Sequence, residues 1–142
     1  MKASDFLDSI TAAKLQIEIL QIKADGMASL LKWSDKCHFT SESLHSINNK
    51  ITGLNNELMQ MKDERARRIQ FLHSVPGLSD DSRRLLIMHY VDELPLSIAA
   101  KKLFYSASSA RHLHKKAVAA LDNALDLLIE HQPEKNDRLQ SR

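Results

Sequence analysis

Residues 98–117 read IAAKKLFYSASSARHLHKKA and combine two helical patterns with a short connection. A short helix is predicted from about Leu96 to Leu103, and a long helix is predicted to begin at Ala107 after the connection Phe104-Tyr105-Ser106. A serine placed before a helix can accept a hydrogen bond from the first turn. Two helices at this spacing, with small residues in the first, are typical of a helix-turn-helix.

Positive charge is concentrated in the same stretch. From Leu94 to Leu121 there are five Lys or Arg residues and no Asp or Glu, whereas the whole chain has 20 basic and 18 acidic residues and a net charge of +2. A local surplus of this kind attracts polyanions such as DNA. A solvated face of an ordinary helical hairpin is the alternative, because hairpins can have the same spacing.

The second helix is predicted to carry its polar side chains on the outward face. The residues expected to face inward are Ile98, Leu103, Ala110, Leu113 and Ala117. The outward residues of its first turns are Ser108, Ser109, Arg111, His112 and Lys115. Arg111 can donate two hydrogen bonds to guanine, and the serine and histidine side chains can bond base edges or phosphates. The residues expected to neutralise phosphates are Lys101, Lys102 and Lys116.

The N-terminal half carries two longer apolar repeats. The first runs in steps of three and four from Ala3 to Leu31, and the second runs from Leu44 to Leu72 with a polar interruption at Arg65. Such heptad-like stripes predict two long helices, each with a seam that must be buried. An antiparallel hairpin within one chain and a coiled-coil dimer would both bury these seams, and the periodicity leaves both open.

The predicted fold is all-α, because the helix formers Leu, Ala and Lys are frequent in the composition and glycine and proline are rare. A coiled-coil-like helical hairpin is expected in residues 1–75, for dimerisation or contact with a partner, and Val75-Pro76-Gly77 ends it. A helix-turn-helix domain that binds DNA is expected in residues 76–130, with Ser79 as the cap of its first helix. A flexible tail is expected in residues 131–142.

Several residues between Arg83 and Leu121 follow a pattern of known DNA-binding proteins. They are Tyr90-Val91, Ile98-Ala99, Leu103, Tyr105-Ser106 and His114-Lys115-Lys116-Ala117. This pattern resembles region 4 of bacterial sigma factors. Over about residues 5–125 the chain is similar to the ArpU/RinA-like group of phage and prophage transcriptional regulators, which pair an N-terminal helical hairpin with such a helix-turn-helix.

The resemblance implies an activator of late phage genes, encoded by a phage or prophage and located in the cytoplasm of the bacterial host. It also implies that Ser106 and the outward residues after it read DNA. Two places depart from the pattern. The family often has an aromatic or acidic residue before Ile-Ala, where this chain has Pro95-Leu96-Ser97. Many helix-turn-helices place glycine after the leucine that ends the first helix, because that residue often takes a left-handed conformation. Phe104 stands there instead, so a cost of about 1 kcal/mol or a different turn is expected.

Other classes of function are not favoured by the sequence. The lone cysteine, Cys37, excludes an internal disulfide framework, and no run approaches the roughly 20 apolar residues of a membrane-spanning helix. His112 and His114 would point about 200° apart on a helix, so they cannot share a metal ion and are expected to be surface residues. Glycine clusters and nucleophile motifs are missing. No cofactor, no metal, no membrane contact and no enzymatic activity are therefore expected.

The leading interpretation is a sequence-specific regulator that binds double-stranded DNA as a homo-oligomer, because one helix-turn-helix buries too little surface for high affinity. The first alternative is a sigma-like factor whose N-terminal hairpin binds RNA polymerase. The second is a coiled-coil interaction protein that does not bind DNA and whose basic helix contacts an acidic protein partner.

Overall fold

The computed structural model describes residues 1–131, without the side chains of Asp35, Cys37, Ile129, Glu130 and His131. This part of the chain is helical and contains no strand, which confirms the all-α prediction. Its elements are α1 (Ala3–Lys32), α2 (Ser34–Cys37), α3 (Ser41–Ser74), α4 (Asp80–Leu86), a π-helical segment (Ile87–Val91), α5 (Leu96–Lys102) and α6 (Ala107–His131). The predicted tail, 131–142, lies outside the described residues except for the backbone of His131. No helix in the described range is long and apolar enough to cross a membrane.

The apolar stripes of α1 and α3 are shielded from solvent at the positions that the repeat predicts. In α1 the buried or half-buried stripe residues are Ala3, Phe6, Ile10, Ala13, Ile17, Leu20, Ala24, Met27 and Leu31. In α3 they are Leu44, Ile47, Ile51, Leu54, Leu58, Met61, Arg65, Ile69 and Leu72. The steps of three and four therefore identified buried or half-buried side chains along both long helices, but not Leu7, which is 0% exposed and lies outside the repeat.

Two compact units divide the chain. One comprises Met1–Thr11 and the described residues from Arg68 onward, and the other comprises Ala12–Arg67. The core of the first unit contains Ala3, Phe6, Leu7, Ile10, Leu72, Val75, Leu78, Leu86, Ala117, Leu121, Ala124 and Leu125. The first turns of α1 thus share a core with α6. The predicted domain limits at residue 75 stay predictions.

The start of α4 is fixed by a side-chain cap. The Ser79 hydroxyl accepts a hydrogen bond of 3.2 Å from the backbone N–H of Ser82, as the sequence predicts for a helix beginning at residue 80. α4 continues into the π-helical segment, whose wider turn is closed by a bond of 3.0 Å from the Asp92 N–H to the Ile87 carbonyl. Such segments often mark functional positions in helices. In this protein the π-helical segment carries His89 and Tyr90, whose rings lie next to the ring of His114 in α6.

The pair α5 and α6 packs together through small residues. α5 ends at Lys102, one residue earlier than predicted, so the connection to α6 comprises residues 103–106. Ala99 and Ala100 are 0% and 1% exposed, whereas Ile98 is 43% exposed. The prediction that Ile98 faces inward is wrong. Successive helical residues point about 100° apart, and the two alanines occupy the buried face of this short helix.

The connection after α5 is a Schellman motif with phenylalanine in the left-handed position. Phe104 has a φ of 63°. Its N–H donates a bond of 3.1 Å to the Lys101 carbonyl, and the Tyr105 N–H donates one of 2.9 Å to the Ala100 carbonyl. This is the bonding pattern that usually has glycine at its left-handed residue. The chain therefore keeps the expected turn and accepts the backbone strain of a non-glycine residue there.

Candidate nucleic-acid interface

The first turn of α6 is organised by Ser106. The Ser106 hydroxyl accepts a hydrogen bond of 3.2 Å from the backbone N–H of Ser109 and donates one of 2.9 Å to the Ser109 hydroxyl. The Ser106 carbonyl accepts a bond of 2.9 Å from the Ala110 N–H. This cap fixes where α6 starts and hence the direction in which its first side chains project. The Ser106 hydroxyl is engaged in the cap, and its contact with DNA stays a prediction.

Each residue that the sequence predicts to contact DNA is exposed. These residues are Lys101, Lys102, Ser106, Ser108, Ser109, Arg111, His112, Lys115 and Lys116. They lie at the end of α5, in the connection and on the first three turns of α6. We refer to them below as the basic face. None of them is buried in the core or covered by another described part of the chain.

The inward side of α6 fixes the direction of the basic face. Ala110 and Ala117 are each 1% exposed. At about 100° per residue, Ser108, His112 and Lys115 project between about 140° and 180° away from these two alanines. Because the buried side is lined by small residues, α6 can lie close to the short helix before it.

Two shallow depressions of the surface lie beside the outward-facing residues of α6. Arg111 lines the first together with Leu96, Ser97, Ala107 and Ala110. The second is lined by Tyr105, Ser108, Ser109, His112, Leu113 and Lys116. Of the predicted contact residues of α6, Arg111 thus lies beside the start of α5, and Ser108, Ser109, His112 and Lys116 lie beside the connection, whereas Lys115 lines neither depression. Leu113, which was expected to face inward, is half-buried.

One carboxylate contacts the connection that precedes α6, next to the basic face. The Tyr105 hydroxyl donates a hydrogen bond of 2.5 Å to Oδ2 of Asp81 in the first turn of α4. This bond holds the phenol in its protonated form, and together with burial and the negative charge of Asp81 it raises the pKa of Tyr105. The charge count along the chain could not find this acid, because Asp81 lies 24 residues away in sequence.

The first acid after the basic stretch is also engaged by the chain. Asp122 Oδ1 accepts a hydrogen bond of 2.6 Å from the backbone N–H of Ala3, the first residue of α1. A carboxylate at this end of a helix is favoured by the helix dipole and satisfies one of the free N–H groups. Asp122 therefore caps the start of α1 in addition to balancing the positive charge of the lysines in α6.

His114 lies on the inner flank of α6 and differs from the surface histidine that the sequence suggested. Its ring is half-buried, and its Nε2 is 2.9 Å from the Tyr90 hydroxyl. The two rings are stacked with centroids 5.9 Å apart. The centroid of the His89 ring lies 6.0 Å from the centroid of the His114 ring. Burial, followed by the positive charge of His89, lowers the pKa of His114. His112, by contrast, is exposed as expected.

Comparisons with known proteins do not add to this description. No protein-family model, curated protein or solved structure matches the chain. Within the described residues, no group of three or more His, Cys, Asp or Glu side chains could hold a metal ion. The resemblance to phage regulators and to sigma region 4 therefore stays an expectation from the sequence.

Proposed function

We propose that the chain is a sequence-specific transcriptional regulator that binds double-stranded DNA through a helix-turn-helix formed by α5 and α6. The observation that carries the proposal is the basic face itself. All nine of its residues are exposed around a helix start that a serine caps, and five of them are cations. The major groove of DNA admits an α-helix, and helices that enter it carry their contact residues in the first turns.

The side chains of the basic face divide into two roles. Arg111 has the planar donor pair that matches the O6 and N7 acceptors of guanine, and it is the residue that reads sequence most strongly in this proposal. Ser108 and His112 lie on the outward line and bond base edges. Lys101 and Lys102 at the end of α5 neutralise phosphates, which adds affinity without sequence preference.

In this proposal the long helices α1 and α3 form an antiparallel hairpin. The stripes of both helices are shielded by the chain itself, and this favours a hairpin over seams that only a second copy covers. The resemblance to ArpU/RinA-like regulators supports activation of late phage genes, in the cytoplasm of a bacterial host, as the biological setting. An operator with two half-sites would then be bound by two copies.

Selection from a randomised duplex pool, followed by mobility-shift titration of the enriched sequence, tests the proposal. Arg111→Ala should cost about 1–3 kcal/mol on the enriched sequence and relax its preference over random duplex. Lys102→Ala should weaken binding to both duplexes equally. It should also make the dependence of the logarithm of the association constant on the logarithm of the salt concentration shallower by about 1. Lys50→Ala is the matched control, because Lys50 is an exposed lysine of α3 outside the basic face.

The combined variant Arg111→Ala, Lys115→Ala and Lys116→Ala decides the result. We expect it to lose sequence-specific binding while keeping the helical circular dichroism of the unmodified protein. Equal binding by this variant and the unmodified chain, or enrichment of no sequence from the pool, would overturn the assignment of the basic face to DNA.

A further inference from the structure

The helix α1 carries a second apolar stripe, on the side opposite its buried one. Leu15, Ile19, Ile22 and Leu30 are 60%, 44%, 71% and 43% exposed. At about 100° per residue these four side chains fall within an arc of about 80°, and this arc is centred about 160° from the buried stripe. We refer to them as the outer stripe. Trp33, 55% exposed, follows directly after the end of α1.

The outer stripe is long and continuous enough to be an interaction surface. Scattered exposed leucines are ordinary, but a line of large aliphatic side chains on one helix face is not typical of a monomer surface. From Leu15 to Trp33 the line extends about 27 Å along the chain at the rise of an α-helix. Its steps of four and three from Leu15 through Ile19 to Ile22 are those of a coiled-coil seam.

The charges beside the outer stripe identify the partner. Glu18 lies on one flank of the stripe and Lys23 on the other, five residues later, and both side chains are exposed. In a parallel two-stranded coiled coil, the residue on one flank faces the residue five positions later on the opposite flank of the second helix. We propose that two copies of this chain pair in parallel through the outer stripe, with Glu18 of each copy next to Lys23 of the other.

The opposite orientation is disfavoured by the same charges. In an antiparallel pair, each flank of the stripe meets the same flank of the second copy. A pair centred on the outer stripe would then bring Lys23 near its own counterpart and Asp25 near its own counterpart, while Glu18 would approach Lys32 of the second copy. Like charges placed across a seam are destabilising. The parallel pair instead forms the same Glu–Lys contact twice.

Gly26 is consistent with close approach of a second helix. It lies between Ile22 and Leu30 on the line of the outer stripe, in the interior of α1. A Cβ atom at this position would meet no atom of the chain within 4 Å, so packing within the chain does not require glycine there. Glycine in the interior of a helix is unfavourable, but it lets another backbone come near.

This inference rests on the proposed function for its biological role. A parallel pair is related by a two-fold axis, which is the symmetry of an operator with two equivalent half-sites. The pairing itself does not depend on DNA. It can therefore be measured on the protein alone, and failure to find an operator leaves the result of that measurement unchanged.

Sedimentation equilibrium of the full chain, between about 1 and 100 μM and without DNA, tests the pairing. We expect a monomer–dimer equilibrium in this range. Ile22→Asp places a carboxylate in the seam and should raise the dissociation constant by at least about tenfold. Met59→Asp is the matched control, because Met59 is a 65% exposed apolar residue of α3 and should leave dimerisation unchanged.

Charge exchange tests the register and direction of the pair. Glu18→Lys alone and Lys23→Glu alone should each weaken self-association, because each creates two like-charged contacts. Mixing the two variants should restore a dimer, since one chain then carries two bases and the other two acids at these positions. A monomer at every concentration, or a dimer that Ile22→Asp does not weaken, would overturn the pairing. Failure of the mixture to associate would overturn the parallel register.

Discussion

The Tyr105 hydroxyl donates a hydrogen bond of 2.5 Å to Oδ2 of Asp81, and this contact ties the connection before α6 to the first turn of α4. Tyr105 is also the last residue of the Schellman motif that ends α5, through its N–H bond to Ala100. One residue therefore links α4, the end of α5 and the beginning of α6. The orientation of the basic face depends on this link as well as on the serine cap.

A double-mutant cycle measures the link between Tyr105 and Asp81. Tyr105→Phe and Asp81→Asn should each lower the melting temperature, and the double variant should lower it by less than the sum of the two, because the first removes the donor of the bond and the second replaces its charged acceptor by a weaker neutral one. Thermal unfolding followed by circular dichroism provides the measurement. Asp80→Asn is the control: it removes the neighbouring acid of α4, which pairs with Arg83 at 3.5 Å, and it should show no coupling to Tyr105→Phe. Additive effects of Tyr105→Phe and Asp81→Asn would contradict the link.

The long helices and the basic face could be predicted because each depends on local spacing. A stripe in steps of three and four can be buried only along one side of a helix, so most inward residues of α1 and α3 followed directly, whereas the buried Leu7 beside the stripe did not. The exposed residues of the basic face on α6 followed in the same way once Ser106 was identified as its cap, whereas His114, expected at the surface, is half-buried. The orientation of the α5 side chains could not be predicted in this way. A helix of seven residues makes barely two turns, and apolar residues lie on all sides of α5. Ile98 was assigned to the wrong side for this reason.

Contacts between distant segments were beyond the reach of the sequence pattern. The bonds from Tyr105 to Asp81 and from Ala3 to Asp122 join residues 24 and 119 positions apart. No periodicity relates such pairs. The residues of the outer stripe of α1 lie between those of the longer buried repeat on the same helix, and only the exposure of each side chain distinguishes the two stripes.

Replacement of Phe104 by glycine should stabilise the protein. Phe104 has a φ of 63° and is 96% exposed, so its side chain offers little packing in return for the left-handed backbone. Relief of that strain should exceed the extra chain entropy of glycine and raise the free energy of unfolding by about 0.5–1 kcal/mol. Urea unfolding measures the change. Phe104→Ala is the control, because alanine removes the ring and keeps the strain; a gain as large as that of glycine would show that the ring, not the backbone, is unfavourable.

Enlargement of Ala110 should disrupt the packing of α6 against the chain. Ala110 is 1% exposed, and leucine there would need space that a well-packed core does not have. Ala110→Leu should lower the free energy of unfolding by about 1–3 kcal/mol in urea titrations. Ala119→Leu is the matched control on the same helix, because Ala119 is exposed and should tolerate the change. Equal stability of the two variants would show that the inner side of α6 is not tightly packed.

The half-buried His114 should make stability depend on pH. Its folded-state pKa is lowered by burial and by the charge of His89, so the unfolded chain takes up a proton at a higher pH than the folded chain does. The contribution of His114 is therefore fully present above its unfolded pKa of about 6.5 and is lost as the pH falls through the lowered folded pKa. The neighbouring Tyr90, whose own pKa is raised by burial and by Asp8, remains protonated throughout this range.

Urea midpoints measured at intervals between about pH 7.5 and pH 5 check this dependence. The decline in stability toward low pH should be shallower in His114→Gln than in the unmodified protein, because glutamine does not titrate. His112→Gln removes an exposed histidine two residues away on the same helix and should keep the original decline. The difference between the two variants isolates the buried ring from the other histidines of the chain. Parallel curves for both variants would show that the contact between His114 and Tyr90 carries no penalty for protonation.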